Sequence, residues 1–582
     1  MGKPITWIVA GIFWMQAHFV LADAIPPGEI APEPGTGNTE QELVRASDYM
    51  VATANPYAAR AGYEILKQGG SAIDAVITTQ LVLNLVEPQS SGIGGSGLVV
   101  YFDNKVGQLS TWEGRETAPG QVKPDHFLDE TGEPRAFYDA VVGGRSVATP
   151  GLLKLMYEVH QKHGKLAWKT LFKPAIKLAR EGFIVSPRLA SLVAMDQTRL
   201  GRYENTRNYF YPEGRPVQEG DLLKNLPFAN TLSLIASRGI DPFYQGEIGR
   251  DIVTTVNSVT DNPGLLTMSD LNRYQVQERD PACMDYRRYR VCSMGPPSSG
   301  GLTMGQILGM LDHYNLPELG KDNPISWQLI GDATRLAFAD RGMYMADQDF
   351  INVPEGLLDK SYLLERSRLL KTGKPLQGVA PGLPPGIDEI RQASVEALEL
   401  PATTHISIVD GDGNAVAMTS SVENAFGSRL MVGGFLLNNS MTDFSFRPFI
   451  DGKPVANRIA PGKRPMSSMT PTIVLRDGKP YMVLGSAGGS RIIVHVVKTV
   501  IAHLDWQLPV DEAVSLSHRI NMQGSYELES GTDAEKLVIP LKAMGYKVSV
   551  RDLNSGLHAI VIKKSGLEGA ADPRREGAVM GD

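Results

Sequence analysis

The sequence predicts a layered α/β protein, and three observations carry that prediction. Strand-like alternation and helix-like periodicity both recur along the 582 residues, 42% of the chain is apolar, and its 60 glycines include runs that call for tight backbone turns. At roughly 100–200 residues per domain, this length makes three or four domains or one large layered body. The apolar fraction supplies a substantial core and argues against wholesale disorder. A formal net charge of −7 argues against nucleic acid as the main partner.

The elements follow in order. The N-terminus reads as an export signal: Lys3 gives the positive start, residues 5–21 (ITWIVAGIFWMQAHFVL) the apolar stretch, and ADA at 22–24 the small residues for cleavage. The polar, Pro-rich stretch that follows favours removal of 1–24 over a membrane anchor. No later run reaches 18 apolar residues, so the expected mature protein is exported, periplasmic or secreted, with no stable anchor. PYAARAGYEILKQGG predicts a helix with Ala59, Tyr63 and Leu66 at helical spacing, stopped at Gly69–Gly70. SAIDAVITTQLVLNLV is nearly all apolar, which places a second helix between layers.

GLVVYFDNKVGQLSTWEG then reads as strands, residues 150–240 as largely helical, and GLTMGQILGMLDHY as a helix. ISWQLIGDATRLAFADRGMYMA predicts a polar-faced helix. Cys283 and Cys292 flank MDYRRYRV, which alternates like a hairpin turning near Arg287–Arg288. A cross-strand disulfide and two unpaired thiols both fit; the spacing does not resemble a metal site. Residues 371–402 lose periodicity and gather Pro and Gly, so a flexible segment is expected there. From Thr403 onward alternation returns in THISIVD, NAVAMTSS, GFLLNNS, PTIVLRDGKPYMVLGS and LHAIVIKK, with IIVHVVKTVIAHLD as one interposed helix. No internal repeat is present.

Two motifs invite chemistry. GIGGSG at 92–97 matches GxGxxG in form, but a dinucleotide cradle follows a strand and opens a helix. Here a helix precedes and a strand follows, so close backbone packing is the better account. The second motif is the hairpin beginning at Thr403. Alternation puts Thr403, His405 and Ser407 on one face and Thr404, Ile406 and Ile408 on the other. Asp410-Gly411-Asp412-Gly413 is a strong turn signal, and folding there returns Ser420 or Ser421 to Thr403. An ordinary surface hairpin has the same pattern; the flexible segment just before Thr403 distinguishes this one. An N-terminal threonine carries its own base, an α-amine with a pKa near 7.7–8.0, and cleavage at Ala402–Thr403 would create it. The same hydroxyl can perform that cleavage by attacking the preceding carbonyl.

The chain resembles the γ-glutamyltranspeptidase family of N-terminal-nucleophile hydrolases. The resemblance rests on GGSAIDAV at 69–76, EPQSSGIGG at 87–95, GRETAP at 114–119, PPSSGG at 296–301, TTHISIVDGDGNAVAMTSS, LLNNSMTDFS, KRPMSSMTPTIV and GSAGGSRII, running from about Tyr49 to Gly581. It implies a four-layer α-β-β-α sandwich formed jointly by a large subunit, 25–402, and a small catalytic subunit, 403–582, cut from one precursor. It implies Thr403 as nucleophile, Ser421 as the supporting hydroxyl, and Gly488 and Gly489 as the oxyanion hole. Arg115, Ser467 and Ser468 would hold the substrate's α-carboxylate and Asp443 its α-ammonium; an Arg can give carboxylate two parallel bonds. Glutathione and related γ-glutamyl compounds would be donors, water or acceptor amino acids and peptides the acceptors, with no metal or organic cofactor.

Three departures from the family pattern bear on specificity. Ser440 stands where Gln or Glu usually approaches the α-amine. Glu423 stands where many members have Asn, though some bacterial relatives carry Glu. No lid tyrosine is evident in 447–463, where Phe446 or Phe449 would be the substitutes. A glutaryl (cephalosporin) acylase using the same chemistry is therefore one alternative. An unprocessed, inactive binding protein that keeps the shell is another.

Overall fold

The computed structural model describes residues 41–387, 391–394 and 402–582; the expected export segment 1–24 lies outside the described residues, as do 388–390 and 395–401. Helix α1 (Pro56–Lys67) starts because the Asn55 side chain accepts from the Tyr57 amide and Pro56 brings no orphan donor. Gly69, at φ 82°, lets the chain leave it. Ser71 and Asp74 cap each other's backbone at the start of α2 (Ala72–Val86), every residue of which is buried.

Two seven-stranded antiparallel sheets form the centre. Their strands, in chain order, are β1 (Val44–Ala46), β2 (Met50–Thr53), β3 (Ser96–Asp103), β4 (Gln108–Gly114), β5 (Gln277–Arg279), β6 (Ala282–Tyr286), β7 (Tyr289–Ser293), β8 (Thr403–Val409), β9 (Ala415–Ser421), β10 (Thr472–Arg476), β11 (Lys479–Gly485), β12 (His558–Lys563), β13 (Gly566–Ala571) and β14 (Ala578–Gly581). The first sheet runs β14-β2-β8-β9-β3-β4-β5, the second β1-β13-β12-β11-β10-β7-β6. Leu98, Val100, Ala415 and Ala417 of the first meet Ile473, Val483 and Ile560 of the second in a core between them. Helix α2 covers the outer face of the first sheet over Ile406, Ile408, Val416 and Met418. Helices α3 (Gly300–Leu311), α4 (Pro324–Tyr344) and α5 (Ile492–Leu504) cover the second over Val474, Met482, Leu484 and Val561. The result is a helix–sheet–sheet–helix sandwich. Among the described residues, no helix is long and apolar enough to cross a membrane.

Several local expectations meet their structural outcome here. The β6–β7 hairpin turns at Arg287–Arg288, and Cys283 lies directly opposite Cys292 and is bonded to it. In GIGGSG, a Cβ on Gly94 would sit 2.1 Å from the Leu436 carbonyl oxygen, and one on Gly95 2.1 Å from that of Ser421. Those glycines admit two passing backbones, and no phosphate cradle opens a helix there. Helix α4 carries polar residues as expected, and Gln328, Asp332, Asp340 and Arg341 among them are buried. The reason is the Pro- and Gly-rich segment that follows in sequence. Among its described residues no strand forms, and side chains of α4 take up its backbone amides: Gly373 N–H donates to Gln328 Oε1 (3.0 Å), Leu376 N–H to Asp332 Oδ2 (3.2 Å) and Gly382 N–H to Asp340 Oδ1 (2.8 Å). Of the stretch expected to be flexible, residues 371–382 are thus pinned along α4.

Candidate active site

The site grows from the β8–β9 hairpin. Asp410 organises its turn: Oδ1 accepts from the amides of Asp412 and Asn414, each at 3.0 Å, and Gly413 adopts φ 79°. Its Oδ2 accepts from Ala72 N–H at 2.8 Å, so a carboxylate sits at the N-terminus of α2 and anchors the hairpin there. The register runs from Val409 opposite Ala415 to Thr403 opposite Ser421. Unlike a surface hairpin, both strands are buried from end to end.

The two faces of the hairpin differ in chemistry. Toward α2 point Ile406, Ile408, Val416 and Met418, and Ser420, whose hydroxyl donates to Gln80 Oε1 at 2.5 Å. Toward the second sheet point Thr403, His405, Ser407, Thr419 and Ser421. His405 lies 2.8 Å from the Thr419 hydroxyl and 3.0 Å from that of Ser407, and the Ser407 hydroxyl donates to the His558 carbonyl at 3.2 Å. Gly485 makes room for the His405 ring, since a Cβ there would lie 2.3 Å from Cε1. Burial, with His558 adding to it, holds the His405 pKa well below the ordinary imidazole value, and burial lowers that of His558 to about 4. Both rings are therefore neutral near pH 7.

Thr403 begins β8 at 4% exposure. Its hydroxyl donates to Ser421 Oγ at 3.3 Å, and the Ser421 hydroxyl donates to the Ala402 carbonyl at 2.5 Å. The Glu423 amide donates to Ser421 Oγ at 2.9 Å. Ser421 is thus a relay between the threonine hydroxyl and the carbonyl preceding it. On the other side, Arg575 donates to the carbonyl of Thr403 itself at 3.1 Å.

A cleft opens at this point, lined by Thr403, Ser421, Arg115, Glu423, Asp443, Ser467 and Gly489, together with Met469 and Ile492. Arg115 is buried. It pairs with Asp443 and with Glu116 (3.0 Å) and donates to the carbonyls of Pro465 (3.2 Å) and Met466 (3.1 Å). Glu113 serves Arg279 and Arg464, each at 2.6 Å. Asp443 ends a short turn, Ser440–Asp443. Glu423, at φ 80°, accepts from the Asn439 side-chain amide.

Three further candidates lie beside the cleft without lining it. The Ser440 hydroxyl donates to Glu116 Oε1 at 2.8 Å. Ser468 Oγ accepts from Arg341 at 2.8 Å, while Ser467 Oγ accepts from the Met469 amide at 3.1 Å. Gly488 (φ 134°) packs under His495, whose Cε1 a Cβ would approach to 3.0 Å. Gly489, at φ 60°, reaches the cleft, and both glycines precede α5. The lid substitutes are elsewhere: Phe446 stacks on Phe127 at 4.5 Å, and Phe449 is exposed with Arg458 over its ring at 5.3 Å. Among the described residues, no group of three or more Asp, Glu, His or Cys side chains is arranged to hold a metal.

Sequence reasoning missed Met469, Ile492, Glu116, Arg341 and Arg575. Met469 and Ile492 lie inside motifs already quoted, so adjacency to the serine and glycine pairs was their signal; Arg575 had only the doubled arginine of DPRREG.

A helix–sheet–sheet–helix sandwich whose central strand starts with a threonine, in a cleft also lined by Gly489 ahead of a helix, places the molecule among the N-terminal-nucleophile hydrolases. Residues 58–582 match the family described as Gamma-glutamyltranspeptidase. A glutathione hydrolase proenzyme of Bacillus subtilis (strain 168) is 36% identical over 591 residues, covering 99% of this chain and 98% of that protein. Its counterpart in Escherichia coli (strain K12) is 36% identical, covering 95% of each. The crystal structure of a cephalosporin acylase from Bacillus halodurans aligns with a TM-score of 0.82 at 25% identity, covering 96% of this chain and 99% of that one. The chain belongs to the gamma-glutamyltranspeptidase family.

Proposed function

We propose that the chain is a self-processing γ-glutamyl hydrolase and transpeptidase acting on glutathione and related γ-glutamyl compounds. The observation that carries this reading is the relay Thr403–Ser421–Ala402, set in a cleft that also holds Arg115 against Asp443. In the precursor, Thr403 Oγ attacks the Ala402 carbonyl carbon. The Ser421 hydroxyl, already on that carbonyl oxygen, draws off the charge that develops. The Ala402–Thr403 C–N bond breaks as the hydroxyl proton passes to the departing nitrogen, leaving an ester on Thr403 Oγ; water hydrolyses that ester, which frees the Ala402 carboxylate and leaves Thr403 with its hydroxyl and a free α-amine. The products are a large subunit, 25–402, and a small subunit, 403–582, which stay together through the shared sandwich.

In turnover the α-amine takes the hydroxyl proton as Oγ attacks the γ-glutamyl amide carbonyl. The amides of Gly488 and Gly489, unobstructed by side chains, receive the oxyanion; one such donor contributes about 2.7–4 kcal/mol of barrier lowering. The leaving amine (cysteinylglycine from glutathione) takes the proton, and the γ-glutamyl ester passes to water or an acceptor amine. Arg115 and Ser467 take the substrate's α-carboxylate and Asp443 its α-ammonium, so the zwitterionic end meets a pair of matching sign. The chain works outside the cytoplasm, after loss of 1–24, with neither nucleic acid nor a stable membrane anchor as partner.

A glutaryl acylase is the second reading, favoured by one observation. Ser440 is turned to Glu116 and offers the cleft no acceptor for an α-amine, which a glutaryl group lacks. Turnover of γ-glutamyl and glutaryl anilides separates the two. For the main reading, N-terminal sequencing of the smaller fragment should return TTHIS, and Thr403→Ala should stay in one piece. A wild-type protein running as one band near 63.2 kDa would leave only the inactive binding protein.

A further inference from the structure

Residues 572–577 carry the chain from β13 of the second sheet to β14 of the first. Ala578 lies opposite Thr53, and Thr53 opposite Ile406, so this crossover passes the end of β8 where Thr403 begins. Its two adjacent arginines diverge. Arg574 turns to Glu529 (2.6 Å) and Asp572 (3.1 Å). Arg575, 1% exposed, turns to the nucleophile: Nη1 donates to the Thr403 carbonyl at 3.1 Å, and Nε donates to Asn554 Oδ1 at 3.3 Å. Gly556 leaves just enough space behind it, since a Cβ there would lie 3.2 Å from Nη1.

Resting on the threonine-nucleophile reading above, we propose that Arg575 is a positioning residue for Thr403. It holds the residue by its carbonyl and, after self-cleavage, keeps the freed α-amine neutral so that the amine can accept the hydroxyl proton.

Arg575 acts on Thr403 in two ways. The first is mechanical. Before cleavage Thr403 is held on both sides, by Ser421 at the Ala402 carbonyl and by Arg575 at its own carbonyl. Cleavage removes the first hold, and Arg575 and the strand ladder remain to fix the direction of amine and hydroxyl. The second is electrostatic. A positive charge beside an amine disfavours its protonated form, and a guanidinium stays charged throughout the working range. Of the other groups facing this point, Glu423 after β9 opposes the effect. Arg115 and Asp443 across the cleft offset each other, His405 on β8 and His558 on β12 are neutral, and Asp572 is occupied by Arg574.

The test compares kcat/KM against pH for a γ-glutamyl anilide in processed wild type, Arg575→Gln and Arg575→Lys, with the extent of self-cleavage recorded for each. Losing the charge raises the amine's pKa, so the acid limb of the Gln variant should move to higher pH by about 0.5–2 units. The Lys variant, which keeps the charge, should hold the wild-type limb to within about 0.3 units. An unmoved limb in Arg575→Gln, or an equal shift in Arg575→Lys, overturns the proposal. Should Arg575→Gln remain uncleaved, the Lys variant decides: self-cleavage near the wild-type rate supports the proposal, and an equally blocked Lys variant overturns it. Wild type that fails to cleave before Thr403 removes the threonine reading itself, a different result from either.

Discussion

The two faces of the β8–β9 hairpin are equally buried but differ in chemistry toward the cleft end. The α2 side is mostly aliphatic and closes with Ile406, Ile408, Val416 and Met418. On the other side, between the sheets, Thr403, His405, Ser407, Thr419 and Ser421 form a hydroxyl and imidazole network ending at the cleft. A strand buried on both faces usually reads as a continuous apolar run, because unpaired polar groups in a dry core cost several kcal/mol. Keeping one face polar is affordable only where its atoms find partners, as His405 does at both ring nitrogens. The difference teaches that burial alone does not set residue type here: one face is selected for packing, the other for chemistry.

That contrast can be broken most severely from the aliphatic side. Ile408→Asp puts an unpaired carboxylate against α2 and should cost about 4 kcal/mol or more, read as loss of soluble, self-cleaved protein. At the cleft end of the polar side, Asp443→Asn should lower kcat/KM for a γ-glutamyl anilide by about 2–4 kcal/mol, roughly 30- to 1,000-fold, with a glutaryl anilide affected far less. A stability change of similar size in Asp443→Asn, seen in the urea midpoint, would mean its role is structural.

The polar side should also make stability depend on acid. Unfolded, His558 binds a proton at its ordinary pKa of 6.5; folded, burial delays this until about pH 4. The unfolded chain thus binds more protons between those values. Stability is whole above pH 6.5 and falls as pH drops through the window, by up to about 3 kcal/mol. Urea midpoints between pH 7.5 and 4.5 should show the loss, and His558→Gln should flatten it. The smallest expected effect sharpens the relay. Ser421→Ala removes the donor on the Ala402 carbonyl and should slow self-cleavage about 10- to 100-fold, followed as loss of the full-length band with time. An unchanged rate would remove Ser421 from the chemistry while leaving the fold intact.

Legibility in the sequence followed the range of the signal. Alternation from Thr403 and the Asp-Gly-Asp-Gly turn foretold the hairpin and brought Ser421 to Thr403, because a strand's period and a turn's backbone preferences are local. The Cys283–Cys292 bridge was one of two readings until the hairpin register set those residues opposite one another. That polar residues of α4 are buried against the Pro- and Gly-rich segment was not legible, because that segment carries no periodicity that reveals where it lies. Ser440 was read as standing where the family usually has an acceptor for the α-amine; that its hydroxyl reaches Glu116, 324 residues away in sequence, had no local signal.

By itself the sequence determined the layered α/β class, the hairpin and its turn, the glycines that admit passing backbones, and which threonine stands at the head of a strand. Each follows from the conformational preferences of neighbouring residues. Only the tertiary structure decided that Arg115 meets Asp443 and that Arg575 reaches the Thr403 carbonyl across 172 residues. Those contacts arise where two stacked sheets and their crossovers converge, and no local pattern encodes which distant side chains such stacking will bring within hydrogen-bonding distance.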